Sequence, residues 1–212
     1  MARLRITEIF HSLQGETSAM GRPATFVRLT GCPLRCQYCD SAYAFHGGEW
    51  MEQQAILDRV AERPGQLVVV TGGEPLAQPA VHELMGALCD AGREVYLETS
   101  GALPVAAVDP RVVKILDIKT PDSGEYEKNL WDNLALLQPQ DQVKFVLCSR
   151  EDYEWARDFL RQQPLPVQEI LFSPSHAQLS LRDLAEWVLA DALPVRVQIQ
   201  LHKLIWGDVP GH

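Results

Sequence analysis

Nothing in this 212-residue chain approaches the roughly 18 consecutive apolar residues that a membrane-spanning helix requires. The opening residues, Met1-Ala2-Arg3-Leu4-Arg5-Ile6-Thr7-Glu8, contain no long apolar stretch of the secretory kind. Positive charge is scarce as well: 19 Lys and Arg stand against 28 Asp and Glu, for a formal net charge of −9. A protein that coats nucleic acid or an anionic membrane needs a basic face, so neither partner is expected. With 46% hydrophobic and 22% charged residues, the chain is neither disordered nor collagen-like. Linkers, low-complexity tracts and internal repeats are missing, so one domain over residues 1–212 and a cytoplasmic location are expected. Cysteines are few. There are five, an odd number, and three of them fall at Cys32, Cys36 and Cys39 while Cys89 and Cys148 stand alone. That distribution in a reducing compartment argues against a disulfide framework and for metal or cluster ligands.

What is present is a succession of short apolar runs. Thr25–Thr30, Leu67–Thr71, Glu94–Glu98, Val112–Ile118, Gln142–Leu147, Gln168–Phe172 and Val195–Leu201 read as strands, most of them apolar on both faces, as in a parallel sheet covered by helices. Helical spacing lies between them. It covers Ala77, Val81, Leu84, Met85 and Leu88, then Tyr153, Ala156, Phe159 and Leu160, then Leu181, Leu184, Ala185, Val188 and Leu189 behind a Ser180 N-cap. Gly92 and Pro164 would stop the first two, and a weaker helix spans Met51–Glu62. Alternating strands and helices predict an α/β chain of βαβ units. A closed eight-fold barrel takes about 250 residues. An incomplete, open β/α barrel therefore fits better, with a flat doubly wound sheet as the alternative.

The cysteine segment reads Gly31-Cys32-Pro33-Leu34-Arg35-Cys36-Gln37-Tyr38-Cys39-Asp40-Ser41, a C-x3-C-x2-C spacing that lets three thiolates converge on one inorganic centre. Three is the informative number, because an ordinary four-iron cluster takes four cysteines and a structural zinc takes four ligands. With three, one iron keeps an open position. His46 could instead complete a Cys3His zinc site. A second motif, Leu67-Val68-Val69-Val70-Thr71-Gly72-Gly73-Glu74-Pro75, is an apolar strand ending in glycines that permit close backbone approach and a carboxylate that can accept from an ammonium.

The cysteine triplet with Tyr38 before its last member, together with Gly-Gly-Glu-Pro, resembles the radical S-adenosylmethionine superfamily. Further segments narrow the resemblance to the 7-carboxy-7-deazaguanine synthase family of the queuosine and 7-deazapurine pathway. They are Leu13-Gln14-Gly15-Glu16, Gly21–Leu29, Leu97–Gly101, Asp117–Pro121 and Gln200–Gly207. The resemblance runs from about Ile6 to the end of the chain. It implies an open β/α barrel, usually a homodimer, with a [4Fe–4S] cluster, S-adenosylmethionine, Mg2+ and an electron donor such as a flavodoxin or ferredoxin. It implies a lyase that abstracts hydrogen from C6 of 6-carboxy-5,6,7,8-tetrahydropterin, contracts the ring and releases ammonia.

The same resemblance assigns residues. Cys32, Cys36 and Cys39 would bind the cluster. Tyr38, Cys39, Asp40, Gly73, Glu74, Gly101, Gln142, Val143, Lys144, Ser173, Pro174, Ser175 and His176 would contact S-adenosylmethionine. Leu13, Gln14, Gly15, Arg28 and Thr99 would hold the pterin, Arg28 by pairing with its carboxylate. Ser41 would offer Mg2+ a hydroxyl where the family more often has Thr, and Thr17 stands where it often has Gly. Blander roles compete: Arg28 as a salt-bridge partner, Thr99 as a turn cap, Lys119 paired with Asp117 or Glu98, His176 as a loop residue, Gln142 and Lys144 facing solvent. Trp187 reads as packing, and Cys89 and Cys148 as buried free thiols. Two other functions share these motifs: an activating enzyme that takes hydrogen from a partner protein's glycine, and a zinc-stapled binding module.

Overall fold

The computed structural model describes residues 2–176, 178–207, 209 and 211. Its core is one nine-stranded sheet: β1 (Arg3–Leu13), β2 (Pro23–Leu29), β3 (Glu49–Glu52), β4 (Leu67–Gly72), β5 (Glu94–Thr99), β6 (Val113–Ile118), β7 (Gln142–Leu147), β8 (Glu169–Pro174) and β9 (Arg196–Val197). Their order is β3-β1-β2-β4-β5-β6-β7-β8-β9. From β2 to β9 every neighbouring pair is parallel, while β1 runs antiparallel to both β2 and β3. Among the described residues β3 and β9 do not pair with each other, so the barrel is open, as the length of the chain predicts.

Helices α1 (Gln53–Ala61), α2 (Val81–Asp90), α3 (Arg150–Gln162) and α4 (Leu181–Asp191) cover the outer face, and α5 (Leu201–Trp206) closes the chain. Ser149 and Ser180 cap α3 and α4 by accepting from the N–H groups of Asp152 and Asp183. Trp187 packs against Tyr153 with ring centres 5.4 Å apart, joining α4 to α3. Between β6 and β7, residues 121–136 form three short 3-10 turns that the helical period does not announce.

The inside of the barrel follows from the two-residue period of its strands. On β2, Val27 and Leu29 join the large core under the helices, while Ala24 and Phe26 point inward. On β4, Val68 and Val70 face out and Leu67 and Val69 face in. Phe26, Leu67, Val69, Tyr96 and Ile115 thus plug one end of the barrel. One pleat further along, the inward positions become polar: Arg28, Thr71, Glu98, Asp117, Lys144 and Ser173. This is the C-terminal end of the parallel strands, where β/α barrels place their chemistry.

Two expectations are corrected. Val195–Leu201 is a strand only over Arg196–Val197, because Gln198 turns its side chain to the Thr17 backbone and α5 starts at Leu201. Met51 and Glu52, expected at the head of a helix, belong to β3 and pair with Leu4 and Arg3.

Candidate active site

A cavity of about 340 Å3 opens above the apolar plug, and all three clustered cysteines line it. They are held there by the strand ends beneath them. Gly73 N–H donates to the Leu29 carbonyl at 3.2 Å, and Glu74 N–H donates to Gly31 O at 2.8 Å, which seats the Gly-Gly turn against the start of the cysteine loop. The fit leaves no room for a side chain at Gly73, where a Cβ would stand 2.3 Å from Gly31 O and 2.8 Å from Cys32 Cβ. On its other side the loop is tied to the 3-10 segment by Gln37 N–H to Ser123 O at 3.1 Å and Arg35 N–H to Glu125 at 2.5 Å.

The thiols are free and partly buried. Burial pushes Cys36 up to about 11, with the Lys119 ammonium opposing it, and raises Cys32 and Cys39 as well. Lys119 is buried against Asp117, 2.9 Å from Oδ2, and stands 5.7 Å over the Tyr38 ring. Its burial favours the neutral amine, yet Asp117, Tyr38 and Cys36 together outweigh that and keep its affinity for a proton well above the ordinary lysine value. A cation therefore faces the thiols from the wall and favours their ionised, metal-binding form.

Single-ion and cluster chemistry separate on this geometry. His46 does not line the cavity, and among the described residues no three His, Cys, Asp or Glu side chains are grouped closely enough for one ion. A four-iron cluster offers each thiolate its own iron and does not need such convergence. The cavity wall also holds buried acceptors without partners among the described residues, Asp117 Oδ1, Tyr38 Oη and Ser173 Oγ, which only a bound polar molecule or water would satisfy. This donor set fits an iron–sulfur cluster with a polar ligand beside it.

Arg28 lies opposite, sandwiched 5.8 Å from the Phe10 ring and 5.7 Å from Tyr43. Its Nε donates to Glu8 at 2.7 Å, and Tyr43 donates to the same carboxylate oxygen at 2.7 Å. Nη1 reaches Ser41 Oγ at 3.3 Å, and Nη2 has no partner among the described residues. Arg28 is thus both a salt-bridge partner and a guanidinium with one edge presented to the cavity. Ser41 in turn donates to Asp40 at 2.9 Å. Lys144 pairs with Glu16 and, despite burial, stays above its ordinary value because Glu16, Asp117 and Glu98 face it. Gln14 donates to Glu98 at 3.1 Å, and Thr71 donates to the other oxygen at 2.9 Å.

Leu13, Gln14, Gly15, Arg28, Tyr38, Cys39, Asp40, Ser41, Gly73, Thr99, Lys144, Ser173, Pro174, Ser175 and His176 all line this cavity. Four expected contact residues do not. The Glu74 carboxylate is fully buried behind the wall, accepting from Leu76 N–H, Thr99 Oγ1, Ser100 N–H and Ser100 Oγ. Val143 points outward into the core, as its position between inward Gln142 and Lys144 dictates. Gln142 is turned to Ser18, accepting from its N–H at 3.0 Å and donating to its Oγ at 2.7 Å. Gly101 sits behind Thr99, its carbonyl accepting from Leu130 N–H and Asn133.

Other wall residues receive no ligand-binding role from the sequence. Glu98 and Asp117, read there only as partners for Lys119, are polar residues at inward positions near strand ends, which is the signal that finds them, whereas Glu16 lies in the loop beyond β1 and carries no such periodic signal. His202 on α5 presses its ring onto Gly15, where a Cβ would meet Nδ1 at 2.3 Å. Burial holds His202 below the usual imidazole value, against the pull of Glu16, Asp40 and Glu98.

The model of the radical SAM superfamily matches residues 26–118. Over 96% of its length the chain is 47% identical to a 7-carboxy-7-deazaguanine synthase of Koribacter versatilis, covering 97% of that protein. It is 48% identical to the one of Chlorobaculum tepidum, covering 97% of this chain and 96% of that one. Among solved structures it is similar to QueE from Escherichia coli, with a TM-score of 0.77, 25% identity and coverage of 94% and 95%. A lesser likeness, TM-score 0.59 at 14% identity over 80% of this chain and 46% of the other, links its fold to Streptococcus suis SuiB.

Proposed function

Because the chain belongs to the 7-carboxy-7-deazaguanine synthase family, we propose that it converts 6-carboxy-5,6,7,8-tetrahydropterin to 7-carboxy-7-deazaguanine and ammonia. The observation that carries this reading is one cavity holding three free thiols on one wall and an Arg28 edge on the other. A cluster and S-adenosylmethionine bound there would supply reductive chemistry that generates a carbon radical able to take hydrogen from C6. The product is the substrate less ammonia, so turnover consumes no oxidant.

The chain's own residues bind and orient. Cys32, Cys36 and Cys39 would hold the cluster. Tyr38, Asp40, Gly73 and the Ser173-Pro174-Ser175-His176 turn face the cofactor, and Ser173 Oγ offers it an unpaired polar atom. The Arg28 guanidinium, pre-oriented by the Glu8 bond and the two aromatic rings, takes the substrate carboxylate through Nη2. Leu13, Gln14 and Gly15 lie along the pterin, and the Glu16 and Glu98 carboxylates accept from its N–H groups. Ser41 Oγ, which accepts from Arg28 Nη1 at 3.3 Å, would offer an oxygen ligand to Mg2+. Free thiols fit a reducing cytoplasm, and we place there a homodimer supplied with electrons by a flavodoxin or ferredoxin.

The test uses substrate deuterated at C6 and the anaerobically reconstituted protein. Deuterium should leave C6 and appear at the 5′ carbon of the adenosyl group. Retention at C6 in a product that nevertheless forms would refute hydrogen abstraction at that carbon.

A further inference from the structure

Residues 14–18, in the loop between β1 and β2, reach the far strands at the barrel mouth, where Glu16 pairs with Lys144, Ser18 with Gln142 and Thr17 with Gln198. Within it, Thr17 is buried and has φ +67°, a left-handed conformation that a β-branched side chain rarely adopts. Something outside the loop must hold it, because such strain persists only where surrounding contacts over-determine it.

Met20 N–H donates to Thr17 O at 3.3 Å within the turn and Gln142 holds the neighbouring Ser18, but one distant side chain engages both backbone groups of Thr17 itself. Gln198, fully buried just after β9, accepts from Thr17 N–H at 2.9 Å and donates to Thr17 O at 2.6 Å. A carboxamide is suited to this task, since it presents an acceptor and a donor side by side and so satisfies both backbone groups of one residue. Gln198 is itself fixed to the sheet, its N–H donating to Phe172 O on β8 at 2.8 Å. Thr17 adds a local contribution by accepting from Ala19 N–H at 3.1 Å through Oγ1. Gln198 does not line the cavity, whereas Gln14, Gly15, Glu16 and Thr17 do.

We propose that Gln198 is a positioning residue for the substrate. By clamping Thr17 in its left-handed state it sets Glu16 against Lys144 and Gln14 against Glu98, and thereby shapes the pterin-facing wall. The inference rests on the proposed function for its substrate, but the clamp itself can be read without turnover.

The experiment combines Gln198→Ala, Gln198→Glu, Thr17→Gly and the Thr17→Gly/Gln198→Ala double variant, all reconstituted anaerobically. Gln198→Ala should raise KM for the carboxylated pterin roughly tenfold, which corresponds to about 1.4 kcal/mol, while iron content and S-adenosylmethionine affinity stay at parent values. Gln198→Glu keeps the acceptor and loses the donor, so its KM should fall between the two. Amide hydrogen exchange in the peptide covering residues 14–20 should speed up in both. Glycine adopts positive φ readily, so Thr17→Gly should shrink the penalty of Gln198→Ala, a rescue that a purely structural glutamine would not show. Unchanged KM in Gln198→Ala, or single effects that simply multiply in the double variant, would overturn the proposal. If the parent protein itself fails to turn over the pterin, the proposed function falls, and the exchange rates alone decide whether Gln198 clamps the loop.

Discussion

Replacing Gly73 by Ala perturbs the cluster site through one methyl group, at a point where neither neighbour can step aside. The new Cβ would stand 2.3 Å from Gly31 O, 2.7 Å from Gly31 C and 2.8 Å from Cys32 Cβ. Ordinary carbon contacts lie at about 3.5–4.0 Å, so the two segments must part by roughly 1 Å. Gly31 and Cys32 are backbone-anchored, with Gly31 O receiving Glu74 N–H and Gly31 N–H donating to Ala44 O at 2.8 Å. Overpacking of this kind costs about 1–3 kcal/mol, which a domain stable by about 5–15 kcal/mol survives. Metal–ligand bonds are less forgiving, with distances held to about ±0.2 Å. The Gly73→Ala protein should therefore fold, melt several degrees lower, and take up far less iron and sulfide than the parent on anaerobic reconstitution. Gly86→Ala in α2 is the control. Its Cβ would meet nothing nearer than Asp109 Oδ2 at 3.8 Å, so iron uptake should be unchanged and Tm should rise, by the few tenths to about 1 kcal/mol that Ala gains over Gly inside a helix. A Gly73→Ala protein with its full complement of iron would refute the claim that this turn positions Cys32.

Other outcomes follow from the same geometry. Cys36→Ala should abolish cluster content and turnover, whereas Cys89→Ser should leave iron unchanged; equal iron loss in both would place the ligands elsewhere. Arg28→Lys should raise KM for the pterin at normal iron content, since an ammonium cannot keep the Glu8 bond and still present a second donor edge; an unchanged KM would leave Arg28 a structural residue. Ser41→Ala should lose most Mg2+ stimulation and Ser41→Thr should keep it, read from turnover against Mg2+ concentration; parent-like stimulation in Ser41→Ala would move the ion off this hydroxyl. Asp152→Ala should cost at least about 2 kcal/mol in denaturant unfolding, because the buried carboxylate receives Asp122 N–H and Cys148 N–H, which lose their acceptor, while Thr120 Oγ1 can turn to Val146 O, and each orphaned donor is penalised by about 1–3 kcal/mol. A loss under 1 kcal/mol would mean that water takes its place.

The parallel strands are legible in the sequence because burial on both faces makes them near-continuous apolar runs. β1 is not, for a specific reason. Leu4 and Ile6 face the helices, but the ladder slips between Ile6 and Glu8, and beyond that bulge Phe10 faces the barrel interior instead. The slip interrupts the alternation that would otherwise mark a strand. α5 escapes the period because it is six residues long and leaves Leu204 and Ile205 exposed.

The cysteine loop is legible because its ligands are local, within eight residues. The pairing around the polar wall is not, because its partners are distant in sequence: Glu16 with Lys144, Gln14 with Glu98, and behind the wall Thr17 with Gln198. Glu74 shows the limit of motif reading. The Gly-Gly-Glu-Pro segment is placed at the site, but its glycines make the close approach, while the carboxylate turns back to brace Thr99 and Ser100.

The most direct test of the account is product analysis after anaerobic reconstitution with iron and sulfide. The protein is given S-adenosylmethionine, Mg2+, a low-potential reductant and 6-carboxy-5,6,7,8-tetrahydropterin, and the mixture is resolved by mass spectrometry. The account predicts 7-carboxy-7-deazaguanine and ammonia in equal amounts, formed only when the cluster, the cofactor and the reductant are all present. Recovery of unchanged pterin from a fully loaded protein would contradict it.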